Sequence, residues 1–189
     1  MRNTIEHLIE SGIIEGELAD TWKERMAEKK RGDEQLKRAK EGAENGDAGS
    51  MFYLGKMYMF GRNGLKTDDE EAYKWYKKAS DAGDVMGMAS VGACLLYGLG
   101  VEKERTEGLV MLVSAAKDGS DLACYHLGKM YFKGRFGAKV NYASAKHWLQ
   151  KAVAEGEGRC EHKQLPVALI EEAKGMVADC NGVLENTCE

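Results

Sequence analysis

Four histidines (His7, His126, His147, His162) and five cysteines (Cys94, Cys124, Cys160, Cys180, Cys188) are the side chains of this sequence best suited to metal binding or nucleophilic chemistry. Their spacing serves neither. No Cys-x-x-Cys pair is present, and an odd number of cysteines matches no simple disulfide framework. The cysteines therefore read as reduced thiols, with a disulfide among them or a metal site as the alternatives. His126 stands beside a leucine, and a helix end and a loop separate His147 from His162, so the histidines read as structural or exposed. Ser114 or Ser144 acting with a histidine would need a positioned base and oxyanion donors, and nothing local supplies either. The expectation is a chain with no catalytic residues, no cofactor and no metal.

The elements that would position any site are set by an internal repeat. Gly46, Gly83, Gly119 and Gly156 recur at intervals of 37, 36 and 37 residues, with Gly55/Gly92/Gly128, Gly61/Gly98/Gly134 and Ala79/Ala115/Ala152 at matching offsets between them. A period of this length indicates an all-α solenoid of stacked antiparallel helix pairs, in which no unit buries its apolar face alone. Each unit opens with an apolar segment of helical periodicity: AGSMFYLGKMYMF, VMGMASVGACLLY or DLACYHLGKMYFK. A Gly-containing loop follows, and a second helix is expected to start near Asp68, Glu104 or Asn141. Asp68 and Asn141 are good N-caps, and Glu104 is a weaker one. The second helices carry Ala72-x-x-Trp75-x-x-x-Ala79, Gly108-x-x-Met111-x-x-x-Ala115 and Ala145-x-x-Trp148-x-x-x-Ala152, which predicts Trp75 and Trp148 as buried anchors.

The resulting division is an N-terminal apolar segment (1–17), a degenerate capping helix pair (18–45), three repeats (46–82, 83–118, 119–155) with a connecting loop to 159, and a closing helix with a flexible tail (160–189). Leu18, Trp22 and Met26 would lie on the first helix of the degenerate pair, and Leu36 and Ala39 on the second. The apolar segment, with Ile5, Leu8, Ile9, Ile13 and Ile14, either packs back or serves as a partner-binding arm. Pro166 suits the first position of the closing helix, and the residues after Cys180 are expected to fray.

Composition limits the function classes. With 43% apolar and 31% charged residues and a net charge of −4, the chain is an ordinary globular sequence without the basic excess that draws a protein to phosphate backbones. KERMAEKKRG interleaves its lysines with glutamates and reads as a solvated helix before a basic patch. No stretch approaches the ~20 apolar residues of a membrane span, and the first residues lack a secretory core. The chain therefore reads as cytoplasmic unless a signal sequence was removed, with neither nucleic acid nor membrane insertion expected.

The landmarks Tyr53, Leu54, Gly55, Met57, Tyr58, Gly61, Ala72, Trp75, Ala79 and Gly83 resemble the Sel-one-like repeat family, a relative of the tetratricopeptide repeats. The third unit repeats them as His126, Leu127, Gly128, Met130, Tyr131, Gly134, Ala145, Trp148, Ala152 and Gly156. The middle unit departs, with Val91, Leu95, Gly108 and Met111. The resemblance implies a right-handed superhelix that acts as a scaffold or adaptor, or as an immunity-type inhibitor of a toxic partner enzyme. A secreted cysteine-rich, β-lactamase-like branch implies a hydrolase instead, but its disulfides repeat within each unit and the first unit here has no cysteine.

If the first helices line an inner, concave wall as the resemblance implies, Met51, Leu54, Tyr58, Met88, Val91, Leu95, Cys124, Leu127 and Tyr131 face the core. The remaining stripe is then a candidate peptide groove: Phe52, Lys56, Met59 and Phe60, then Met86, Ala89, Ala93, Leu96 and Tyr97, then Leu122, Tyr125, Lys129, Phe132 and Lys133. Such a wall suits a protein or peptide with apolar anchors and an acidic or C-terminal carboxylate group facing the lysines. The alternative is that adjacent first helices bury the stripe against one another. Arg62 and Arg135 share one loop position and either add charge to a rim or only solubilise the chain.

Overall fold

The computed structural model describes residues 2–154 and 167–186. Regular structure among them is entirely helical: α1 (Arg2–Glu10), α2 (Glu17–Glu44), α3 (Ala48–Phe60), α4 (Asp69–Asp81), α5 (Val85–Tyr97), α6 (Arg105–Lys117), α7 (Asp121–Lys133), α8 (Tyr142–Val153) and α9 (Val167–Asn186). The pairs α3/α4, α5/α6 and α7/α8 stack in chain order, each second helix packing on the first helix of the next pair, with α2 before the array and α9 after it. The result is the expected α-solenoid. No described helix is long and apolar enough to cross a membrane.

Local chemistry sets the boundaries. Asp47, Asp84 and Ser120 stand in extended backbone, and their side-chain oxygens accept from the amides of Ser50, Gly87 and Ala123, satisfying donors that the first turn leaves open. Each first helix ends at a glycine in the left-handed region, Gly61, Gly98 or Gly134, at φ 59°, 73° and 60°. Asp68 and Asn141 cap the second helices through the amides of Glu71 and Ser144, whereas Glu104 makes no side-chain cap.

Within each pair the helices meet where a Cβ is missing. A Cβ at Gly55 would lie 2.7 Å from the Tyr76 ring, and one at Gly128 would lie 2.6 Å from Leu149 Cγ. At Gly92 it would lie 2.9 Å from the backbone oxygen of Gly108, and at Gly108 it would lie 2.8 Å from that of Gly92, so α5 and α6 touch backbone to backbone. This corrects the anchor assignment. The buried large residues of the second helices are Tyr76, Leu112 and Leu149, while Trp75 and Trp148 are half-buried at the edge of the stripe under Lys78 and Lys151. Tyr76 falls at i+4 from Ala72 and three residues before Ala79, which centres it on the buried stripe.

Two segment expectations also change. Residues 18–45 form no helix pair, because α2 runs unbroken through Gly32. That glycine serves close approach instead of a turn: a Cβ on it would lie 3.2 Å from Asn63 Oδ1, and Asn63 donates to Gln35 at 3.3 Å, fastening the α3–α4 loop to α2. The closing helix passes Cys180 and continues to Asn186, with Ala173, Met176 and Cys180 buried along one side. Gly156, Cys160, His162, Pro166 and Cys188 lie outside the described residues.

The glycine contacts are measurable. Gly92→Ala is expected to lower unfolding stability by about 1–3 kcal/mol, because backbone atoms must give way. Gly175→Ala, where a new Cβ meets nothing within 4 Å, is expected to be neutral or to stabilise by roughly 0.5–1 kcal/mol. Chemical denaturation of the two variants beside the parent checks both.

Candidate functional site

The expected groove divides into three environments. In the middle repeat the wall is closed. Met86, Ala89, Ala93 and Leu96 are core, because α3, α4, α6 and α7 all pack against α5. A helix apolar on every side is buried on every side. Phe52 and Tyr125, expected as aromatic walls, are buried as well, and Phe52 lies against Tyr76 with ring centroids 5.8 Å apart. These six residues are corrected from groove lining to core.

The third repeat is occupied by its own chain. Tyr125 donates its hydroxyl proton to Glu172 Oε2 at 2.5 Å, while Lys129 Nζ donates to the Tyr125 oxygen at 2.8 Å and pairs with Glu172 Oε1 at 2.9 Å. The hydrogen bond from Tyr125, followed by that from Lys129, holds the Glu172 carboxyl below the usual carboxylate range. Burial acts to lower the Lys129 pKa, but the bonds to Tyr125 and Glu172 outweigh it and raise the pKa. Lys129 is thus already committed. Leu122 is half-buried between two core clusters, Phe132 stands edge-on to Tyr142 at 5.8 Å, and only Lys133 remains exposed.

The seam between the second and third repeats holds His126. Tyr97 of α5 and Tyr125 flank its ring at centroid distances of 5.8 and 5.5 Å, and Tyr97 meets Phe136 edge-on at 5.3 Å. His126 Nδ1 is buried without a hydrogen-bond partner. Burial first, and the charge of Lys129 second, push the imidazole pKa down to about 4, so the ring is neutral at physiological pH and packs as an aromatic. The described residues contain no group of three or more His, Cys, Asp and Glu side chains arranged to hold a metal. Cys94 and Cys180 are buried and unbridged, and burial pushes the Cys94 thiol up to about 12 and raises that of Cys180. Neither is an activated nucleophile.

The first repeat keeps its wall open. Tyr53, Lys56 and Phe60, at i, i+3 and i+7, form one stripe of α3; Tyr53 is 41% and Phe60 57% exposed, and Lys56 is half-buried. By the repeat period Tyr53 corresponds to His126 and Lys56 to Lys129. Among the described residues α3 packs on α2, α4 and α5, so no earlier first helix covers Tyr53 as Tyr97 covers His126. Arg62 lies over the Phe60 ring at 5.4 Å, Lys56 Nζ lies 5.6 Å from the centre of the Phe52 ring, and Met59 is half-buried beside them. Arg135, the counterpart of Arg62, is exposed.

A cleft of about 430 Å³ adjoins the stripe between α2 and α3, lined by Gln35, Arg38, Phe52 and Tyr53 among others. Sequence reasoning passed over Gln35, Arg38 and Tyr53. The sequence carried no signal of its exposure, because Tyr53 occupies a repeat landmark and the helix pair expected over 18–45 would have set a first helix before it.

Comparison with known proteins agrees with the repeat fold. The Sel1 repeat model matches residues 48–84, 85–120 and 121–157. A solved Sel1 repeat protein from Oxalobacter formigenes superposes with a TM-score of 0.53 at 33% identity, covering 76% of this chain and 97% of that one. Chitin synthase regulatory factor 2 of Schizosaccharomyces pombe is 26% identical over 125 residues, 66% of this chain and 23% of that protein. The ERAD-associated E3 ubiquitin-protein ligase component HRD3B of Arabidopsis thaliana is 32% identical over 93 residues, 49% of this chain and 14% of that protein. The chain thus spans less than a quarter of the length of these two curated relatives.

Two outcomes follow from the buried groups. Because the folded pKa of His126 lies below its ordinary 6.5, the unfolded chain binds a proton that the folded chain refuses between those values. Its contribution to stability is therefore complete above about 6.5 and declines as pH falls toward about 4. Denaturation of the parent is expected to show a steeper pH slope across that window than His126→Asn, and the imidazole NMR titration should centre near 4. Cys94 and Cys180 are expected to resist a chromogenic thiol reagent in the native chain and to react, without added reductant, once it is unfolded.

Proposed function

Since the chain belongs to the Sel1 repeat family, we propose that it is a protein-interaction module, a scaffold or adaptor that docks a partner on the open wall of its first repeat. One contrast carries this reading. The position of Tyr53 is covered in the later repeats, by burial at Ser90 and by Tyr97 and Tyr125 at His126, and left accessible on α3, where Phe60 two turns further on is exposed as well. Preorganised aromatics beside a cation, with a cleft next to them, suit a contact that gains its energy by excluding water. The groove expected over three repeats contracts to Tyr53, Lys56, Met59 and Phe60, with Arg38 and Arg62 at its margins.

The relatives fit a role exercised through a partner: one is named a regulatory factor and another a ligase component. A hydrolase reading finds little support in the described residues, where the unbridged Cys94 departs from a disulfide in every unit.

The test compares two exposed positions, one on the first helix α3 and one on the second helix α6. A photoreactive residue placed at Phe60 is expected to form protein adducts in cells of the native organism, whereas one at Val110, 65% exposed on α6, is not. Excess parent chain should compete the adduct away and Phe60→Asp should not. Against the partner so found, Phe60→Ala is expected to cost at least about 1 kcal/mol of binding free energy. Equal labelling at the two positions would contradict the proposed face.

A further inference from the structure

The repeats supply an internal comparison for the chemistry of that face. Lys129 and Lys56 occupy the same position two units apart, on helices that share the segment Leu-Gly-Lys-Met-Tyr. At Lys129 the surroundings are complete: a carboxylate from α9 at 2.9 Å and a tyrosine hydroxyl at 2.8 Å. At Lys56 both are missing. Phe52 replaces Tyr125 and has no hydroxyl, and the helix in the place of α9, α5, is VMGMASVGACLLY, without a single acid. No described carboxylate lies within ion-pair distance of Lys56. The charge that acts on it is instead another cation, Arg62, which lies over the exposed Phe60 one turn beyond Lys56 on α3.

A half-buried ammonium over an aromatic ring, with a guanidinium nearby and no acid, is an arrangement short of one anion. We propose, building on the docking face above, that Lys56 together with Arg62 receives a side-chain carboxylate from a helix of the partner, a glutamate or aspartate flanked by an apolar residue that covers Phe60. The chain's own α9 displays this ligand type: Glu172 meets Lys129 while Ile170 and Ala173, two residues before it and one after, pack into the core. At the first repeat the place of α9 along the stack is taken by α5, so the partner helix lies across the open stripe and does not extend the array. Charge selects the register and the aromatic supplies the desolvated contact.

The probe is an acetylated, amidated helical peptide of alanine, leucine and glutamine with one central glutamate, labelled for fluorescence anisotropy and titrated with the full chain. The glutamate peptide is expected to bind about tenfold more tightly than its glutamine twin, and Lys56→Met to remove that difference while Lys56→Arg retains it. Lysine side-chain NMR should show Lys56 moving more than Lys129. Unchanged thermal unfolding of Lys56→Met establishes that the loss is not misfolding. If the two peptides bind alike and Phe60→Ala weakens both, the carboxylate site is rejected while the docking face stands. If neither peptide binds, or Phe60→Ala leaves binding untouched, both readings are overturned. Preservation of the preference in Lys56→Met with its loss in Lys129→Met would reject the site by moving it to the third repeat. A glutamine peptide with a free C-terminus that matches the glutamate peptide would reject a side-chain source.

Discussion

In every repeat the first and second helix meet at one point where there is no Cβ, and the spacing set there governs the rest of the array. The contact is made differently each time: a tyrosine ring on Gly55, two backbones at Gly92 and Gly108, a leucine on Gly128. Interior packing leaves no slack for an added carbon, so these glycines determine how near the two helices of a pair lie. That distance decides which residue becomes the anchor. Tyr76, Leu112 and Leu149 face the glycines and are enclosed, whereas the larger tryptophans stand one position earlier and only edge the core.

Stacking then gives equivalent residues different fates. Among the described residues α5 has a first helix on each side, and α3 has one on a single side. Tyr53, Ser90 and His126 are one position in three copies: exposed on α3, buried on α5, and set between two tyrosines on α7. A solenoid whose middle unit is built from Gly, Ala and apolar residues therefore has a closed centre and keeps its accessible chemistry at the end of the wall.

Electrostatics follow the same logic. Lys129, Tyr125 and Glu172 satisfy one another at the boundary between α7 and α9, which offsets the cost of bringing a lysine partly out of water. Lys56 stands at the corresponding place with only an aromatic ring and another cation near it, and burial together with Arg62 pushes its pKa down. One lysine serves cohesion of the chain, and the other has no acidic partner among the described residues.

The helix pairs were legible in the sequence because their causes are local: apolar periodicity, Asp, Ser or Asn at the helix starts, and glycine at the left-handed ends of the first helices. The unbroken course of α2 was not: residues 18–45 read as a degenerate pair, and only the structure shows one helix running through Gly32, on which Asn63 of a distant loop packs. The groove was legible as a stripe of residue types, and its closure was not. Exposure of Phe52, Ala89 or Tyr125 depends on how far apart neighbouring first helices settle, and that distance is set by contacts between residues tens of positions apart. The sequence by itself determined the repeat, its helices and their caps. Only the tertiary structure decided which copy of each repeated residue would meet a neighbour and which would meet water, because a residue's place in the stack is a property of the assembled array and not of its own segment.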